Sequence, residues 1–206
     1  LHLMPPFIDP APVAAAGARR TPDAAGDVRL LAVAMMRSGR KADSYRVLAD
    51  ALRETDAGGW RLSVVGDGEE RRAVERMFAG LPVAFLGRVE AEAMPAIYAA
   101  HDLFAWPAID EPFVFLEAQA AGLPAIGSDA RGVPDIVADG TTGLLPRCGD
   151  TLAFAGALRM LLEDAALRER MASAARTHAV ARHDIGAATL WLDHLVRSLV
   201  RRGEAA

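Results

Sequence analysis

The 206-residue chain carries 23 basic and 27 acidic side chains, a net charge of −4, 52% apolar residues and a single cysteine, Cys148. This is enough chain to bury the core of one sizeable domain. The interspersed charges argue against a dedicated nucleic-acid footprint, one cysteine excludes an intramolecular disulfide, and no apolar run approaches the roughly 20 residues of a membrane span. A reducing, cytoplasmic setting fits that composition.

Residues 1–27 are rich in Pro, Ala and Gly and read as an extended linker from a preceding domain. Prolines and an aspartate interrupt their apolar residues, which argues against a signal peptide. The chain opens on leucine and reads as a piece of a longer protein. Regular patterning begins at Val28. "VRLLAVAM" (28–35) is nearly continuous in apolar residues, as in a strand buried on both faces. After the polar loop "MRSGRKADS", Tyr45, Leu48, Ala49 and Leu52 recur at helical spacing, and Gly58-Gly59 ends that helix. "WRLSVVG" (60–66) is a second strand, closed by Gly66-Asp67-Gly68, and Val74, Met77 and Phe78 mark the next helix. "VAFLG" (83–87) is a third strand, residues 92–100 a short helix, and "LFAWPA" (103–108) a fourth strand. A helix over Val114–Ala121 leads to "PAIGS" (124–128), a fifth strand, and "TGLLPR" (142–147) is a candidate sixth. Helices follow over 151–163, 165–181 and 185–201, the last with Ile185, Ala188, Leu192, Leu195, Val196 and Leu199 on one face.

Alternation of strand and helix predicts right-handed crossovers and one Rossmann-like, three-layer α/β/α domain with a parallel sheet. Such sheets bind ligands beyond the carboxyl ends of their strands, so the informative loops are 36–43, 66–69, 87–90, 107–113 and 127–133. The first carries Arg37, Arg40 and Lys41 beside Gly39. It suits a phosphate or diphosphate, or is a solvated basic loop. "VVGDGEE" is a strand, tight turn and helix start, with Arg71 where a dinucleotide fingerprint has its third glycine. Gly87 and Arg88 close the third strand; taken alone, Arg88 is a surface residue. Glu111 lies after the fourth strand and Glu117 in the helix that follows, flanked by Leu116 and Ala118. A partly buried carboxylate there either accepts hydrogen bonds from neighbouring sugar hydroxyls or only complements the start of its own helix. His178, His183 and His194 lack metal-ligand company and read as surface or packing residues.

Taken in order, Arg37 with Lys41, "VVGDGEE", "FLGRV", "YAAHDLFAWPAIDEPF", "LEAQAAGLPAIGSD" and "GVPDIVADGTTGLL" resemble the C-terminal domain of a retaining glycosyltransferase of family 4 (group 1), with the GT-B fold, over residues 28 to about 200. The resemblance implies that residues 28–206 form a nucleotide-sugar-binding domain. It makes Lys41 and Glu111 the catalytic residues and assigns donor binding to Arg37, Lys41, Gly66, Gly87, Arg88, Val89, Glu111, Phe113 and Glu117. Within that set Lys41 and Arg37 take the diphosphate, Gly87-Arg88-Val89 the base, Glu111 the transferred sugar and Glu117 the ribose. It implies a UDP- or GDP-sugar as donor, no metal or other cofactor, and a missing N-terminal acceptor domain as partner. Without that domain the chain by itself is expected to be inactive. Peripheral membrane association of the whole enzyme fits a lipid-linked acceptor.

Two departures stand out. Glu111 and Glu117 have five residues between them, two fewer than the family's paired acids usually have. Arg37 lies one position closer to Lys41 than is usual, which leaves Met36 at the family's arginine position. The alternatives are a non-catalytic nucleotide-binding or regulatory module, favoured by the short acidic loop, and a sugar-nucleotide hydrolase or epimerase using carboxylates as acid and base.

Overall fold

The structure is a computed structural model that describes residues 4, 6–17, 26–108 and 113–203. Residues 11–17 of the segment read as an extended linker form a helix, α1 (Ala11–Gly17). Its alanines are the best helix formers, Pro12 falls in the first turn, where a missing N–H costs nothing, and Asp9 Oδ1 accepts from Ala11 N at 3.0 Å. Val13 and Ala16 are buried, and the helix packs against the fourth and fifth helices of the chain.

The remaining elements alternate as expected. They run β1 (Val28–Val33), α2 (Arg40–Glu54), β2 (Trp60–Val65), α3 (Arg71–Met77), β3 (Val83–Gly87), a 3₁₀ turn (Ala91–Ala93), α4 (Met94–Ala99), β4 (Leu103–Ala105) and α5 (Phe113–Ala120). They continue with β5 (Ala125–Ile126), β6 (Gly143–Leu144), α6 (Thr151–Glu163), α7 (Ala165–His183) and α8 (Ile185–Gly203). The later strands are shorter than their apolar runs. Pro107, Pro124 and Pro146 flank them and cannot donate to a ladder. Trp106 N still reaches Ile126 O at 2.9 Å, and the chain then turns, with Ala108 N bonded to Trp106 O.

All strand pairs are parallel and the six strands lie in the order β3-β2-β1-β4-β5-β6. Leu30 sits between Leu62 and Leu103 in register. β1 is the centre because its apolar run is buried on both faces, whereas edge strand β3 alternates half-buried Val83 and Phe85 with exposed Ala84 and Leu86. α2 packs against α3 and α6, and α5 against α1 and α7, as right-handed crossovers on the two faces of a sheet require. The order reverses at the neighbours β1 and β4, which makes the crevice at their carboxyl ends the topological switch point.

Aspartates set the limits of the C-terminal helices. Asp150 Oδ1 accepts from Ala153 N at 2.9 Å, Asp164 Oδ1 from Leu167 N at 2.8 Å, and Asp184 Oδ1 from Ala187 N at 3.1 Å, each satisfying an amide that the helix start leaves orphaned. α8 leaves Ile185, Leu190, Leu192, Val196, Leu199 and Val200 exposed. No helix among the described residues is long and apolar enough to cross a membrane.

The strap that opens the described chain is tied to the corner between α7 and α8. Ile8 N donates to His183 O and Ile185 N to Ile8 O, both at 2.9 Å. The His183 ring is fully buried, and its Nδ1 lies 2.7 Å from the Pro6 carbonyl oxygen. A carbonyl only accepts, so Nδ1 carries the proton and the neutral ring presents Nε2 as a bare acceptor. Nε2 is buried without a hydrogen-bond partner. Burial, more than the hydrogen bond to Pro6 offsets, and the adjacent Arg182 charge hold the His183 pKa down. Burial also lowers that of His178, helped by His183 and Arg182 and opposed by the Ile136 backbone. Both groups titrate lower in the folded than in the unfolded chain, where a histidine has a pKa of about 6.5. The unfolded chain therefore binds more protons in acid. Stability from this pair is complete above about pH 6.5 and is lost as the pH falls through the folded values. The melting temperature is expected to decline as the pH falls below about 6.5, with a shallower slope in a His178→Gln/His183→Gln variant; identical slopes in the two chains would sink this account.

Candidate functional site

The switch point is built from the backs of α2 and β4. Tyr45, on the inner face of α2, packs edge-on against Trp106 at 4.7 Å between ring centroids and donates its hydroxyl to Ala34 O at 2.7 Å. That pair pins the start of α2 to the ends of both strands flanking the crevice. Lys41 is the second residue of α2 and half-buried, and Arg37 stands exposed in the loop before it. The residue at the helix start is Gly39, with φ 75°, and no side chain caps the α2 N-terminus. Its first-turn amides and the positive end of its dipole thus lie at the rim beside two cations, an arrangement suited to an anion.

The turn after β2 is fastened to the loop after β1. Met36 N donates to Asp67 O at 2.9 Å and Glu70 N to Met36 O at 3.0 Å. A Cβ on Gly66 would lie 1.8 Å from Ala34 O, and one on Gly68 would lie 2.2 Å from Met36 O. These glycines are therefore needed for two backbones to touch, a structural reason for Gly66 that the reading of it as a donor contact did not contain. Met36 is fully buried, so it belongs to the core, and the basic character of the loop rests on its neighbours. Glu69 reaches the same loop, its Oε1 accepting from Ser38 N at 3.3 Å. Its carboxyl is held below the usual range first by its own backbone amide, then by that of Ser38, with the Arg37 charge adding to both. Arg37 thus shares its field with an acid.

At the edge of the sheet, Gly87 has φ 69° and its carbonyl accepts from Gly66 N at 2.9 Å. The three loops after β1, β2 and β3 thereby form one continuous rim. Arg88 is exposed, as expected, and pairs loosely with Glu90 at 3.4 Å. Val89 is half-buried against the core.

Glu111 lies outside the described residues, and so does the whole of the shortened loop 109–112. Phe113 opens α5, one residue earlier than expected, and its side chain is 59% exposed. Glu117 is half-buried, as its neighbours Leu116 and Ala118 predicted, but it sits a full turn inside α5, whose first turn carries no acid. It is not placed to complement the helix start. Its partner is Tyr98 of α4, whose hydroxyl donates to Glu117 Oε2 at 2.7 Å. The sequence reading passed over Tyr98. The signal was an aromatic with a polar tip in a short apolar helix, where a buried hydroxyl must find a partner.

The rest of "YAAHD" fixes α4. His101 Nδ1 lies 2.6 Å from Ile97 O. Asp102 takes Arg29 Nε and Nη2 at 2.8 and 2.7 Å and the Arg29 amide at 2.9 Å. A groove of about 620 Å³ lined by Gly17, Asp102, Gly122, Arg168 and Arg176 opens at the opposite, amino end of the strands, away from this rim. Among the described residues no cluster of three or more His, Cys, Asp or Glu side chains is placed to hold a metal ion.

A six-stranded parallel sheet covered by helices defines a Rossmann-like α/β domain of the GT-B glycosyltransferase kind. Residues 27–164 match the family model for glycosyl transferases group 1, and the chain belongs to that family. Among curated relatives it is 36% identical over 121 residues to sulfoquinovosyl transferase SQD2 of Arabidopsis thaliana, covering 56% of this chain and 24% of the relative. It is 34% identical over 143 residues to the N-acetyl-alpha-D-glucosaminyl L-malate synthase of Bacillus anthracis, covering 66% of this chain and 36% of the relative. Sucrose-phosphate synthase from Thermosynechococcus elongatus superposes with a TM-score of 0.79 at 26% identity, over 98% of this chain and 53% of that one. Anabaena HepE, solved in complex with UDP and glucose, shares the fold at a TM-score of 0.71 and 23% identity, over 93% of this chain and 53% of that one. The chain thus spans about a quarter to a third of these curated relatives and about half of these solved structures.

Proposed function

We propose that residues 28–206 are the donor-binding half of a retaining glycosyltransferase, which moves a sugar from a nucleoside diphosphate to an acceptor held by another part of the whole protein. The observation that carries this reading is topological: the Lys41-bearing α2 follows β1, and α5, with its half-buried Glu117, follows the neighbouring β4, so both helices begin at the strand ends that flank the switch point. One side offers a cation and a helix start to a diphosphate; the other offers a fixed carboxylate to hydroxyl donors. In this reading Lys41, helped by Arg37, takes the diphosphate, and Glu117 the ribose. Gly87, Arg88 and Val89 line the base, with Gly66 behind them. Glu111 is assigned to the transferred sugar, and Phe113 to the donor site. When the bond from the anomeric carbon to the diphosphate breaks, negative charge gathers on the leaving oxygen, and Lys41 with the α2 amides stabilises it where a metal ion would otherwise serve. The acceptor-binding half supplies the attacking hydroxyl, so this chain alone binds the donor and transfers nothing.

Titration of the chain with UDP, GDP, ADP and, as a control, NAD tests the reading. One nucleoside diphosphate is expected to bind selectively. Lys41→Ala should weaken it about tenfold or more by removing a charge-assisted contact, and should erase the advantage of the diphosphate over its nucleoside. Binding of NAD instead, or binding indifferent to Lys41→Ala, would count against the proposal. Release of sugar from a nucleotide sugar in water alone would favour the hydrolase alternative.

A further inference from the structure

Tyr98 and Glu117 are 19 residues apart in sequence and meet at 2.7 Å between two helices. The Tyr98 ring and hydroxyl are fully buried, so this side chain cannot touch a ligand in the crevice. Burial first, and then the neighbouring Glu117 charge, raise its pKa well above the ordinary value near 10. It remains a neutral O–H at any working pH, and a phenol proton facing a carboxylate can only be donated. Among the described residues Glu117 Oε1 has no hydrogen-bond partner, while Oε2 is committed to Tyr98. A glutamate on a half-exposed helix face otherwise samples several rotamers. One bond to a rigid donor removes that freedom before any ligand arrives, which is how preorganisation raises affinity. The donor is rigid for reasons already given. α4 is held by His101 at its end and, through Asp102, by the bidentate grip on Arg29 of β1.

We infer that Tyr98 is a positioning residue: its buried hydroxyl presets Glu117 so that one carboxylate oxygen meets the vicinal hydroxyls of a nucleotide ribose. The inference rests on the reading of Glu117 as a ribose contact and adds the device that makes that contact selective. Unaided, a mobile carboxylate would distinguish ribose from deoxyribose poorly, because it would have to be ordered at the moment of binding.

The test compares the diphosphate that binds best with its 2′-deoxy counterpart, by calorimetry on the unmodified chain, Tyr98→Phe, Glu117→Ala and the double variant. The unmodified chain is expected to prefer the ribonucleotide by about tenfold or more, the scale of a hydrogen bond to a charged group. Tyr98→Phe should bring that preference to within about threefold while the deoxynucleotide affinity stays unchanged, and the double variant should match Glu117→Ala. A second measurement leaves Tyr98 in place. The chain has two tyrosines, Tyr45 and Tyr98; with Tyr45→Phe as the background, so that one phenol remains, Glu117→Ala should lower the titration of Tyr98 in ultraviolet absorbance. Loss of preference in Glu117→Ala with full preference in Tyr98→Phe would overturn the inference and spare the ribose contact. An unchanged preference in Glu117→Ala would overturn the ribose contact itself, and the inference with it. Should Tyr98→Phe not fold, a phenol titration that ignores Glu117→Ala overturns the inference alone.

Discussion

A Gly66→Ala chain is expected to lose at least about 3 kcal/mol of stability, the scale of severe backbone conflicts. The added methyl would sit 1.8 Å from the Ala34 carbonyl oxygen and 2.8 Å from its carbon. Both are backbone atoms, so no rotamer change relieves the clash, and φ 140° is itself a conformation that side-chain-bearing residues avoid. The β2 turn would have to retreat from β1, which would strain the bonds from Ala34 N to Val65 O at 3.0 Å and from Gly66 N to Gly87 O at 2.9 Å. The rim that joins three loops would come apart with it, so nucleotide binding should be lost in any fraction that still folds. Gly58→Ala is the control, because nothing lies within 4 Å of a Cβ there. Urea unfolding of the two variants beside the parent decides the matter, and equal midpoints would show that the turn is not held as described.

Asp102→Ala should cost about 3 kcal/mol, the loss expected when one partner of a largely buried ion pair is removed. The Arg29 and Asp102 side chains are 11% and 21% exposed. Asp102 accepts from the guanidinium twice and from the Arg29 amide once, and its own amide donates to Arg29 O at 2.7 Å. Alanine removes all the side-chain bonds and leaves a guanidinium in a poorly solvated place without this partner. Asp102→Asn keeps an acceptor for the amide and should cost roughly half as much. Because the pair anchors the end of α4, the alanine variant should also weaken ribose discrimination through Tyr98, an effect outside the reach of surface ion pairs such as Arg46–Asp43, where both partners are 57% exposed. Chemical denaturation gives the first quantity and the ribose comparison the second; an alanine variant as stable as the parent would refute the buried-pair account.

Much of this organisation was legible from residue order. Alternating apolar runs and helical stripes marked every strand and helix from Val28 onward, because side-chain period reports directly on local backbone geometry. Boundaries were less legible where prolines cut the ladders, so β4, β5 and β6 came out shorter than their apolar runs. The α1 helix was misread because its prolines and alanines suggested a linker, although alanine-rich sequence with proline confined to the first turn suits a helix that can bury Val13 and Ala16. Lys41 was legible as a helix-start residue and Gly87 as a strand-end residue, whereas Glu117, read near a helix start, sits a full turn inside α5. Gly66 was legible as special, but its packing role was not, since the partner is the carbonyl of Ala34, brought up by strand pairing.

What residue order determined by itself was the inventory: which segments are strands and helices, that the strands run parallel, and which family's pattern they follow. These depend on interactions within a few residues, where spacing and propensity decide. The tertiary structure alone decided that β1 and β4 meet and open the crevice between them, that Met36 is core while Lys41 lies at the rim, that His183 closes on Pro6, and that Tyr98 holds Glu117. Each of those is a contact between distant segments, selected by how buried faces fill space and by which buried polar atom can reach a partner. No periodicity along the chain encodes that choice.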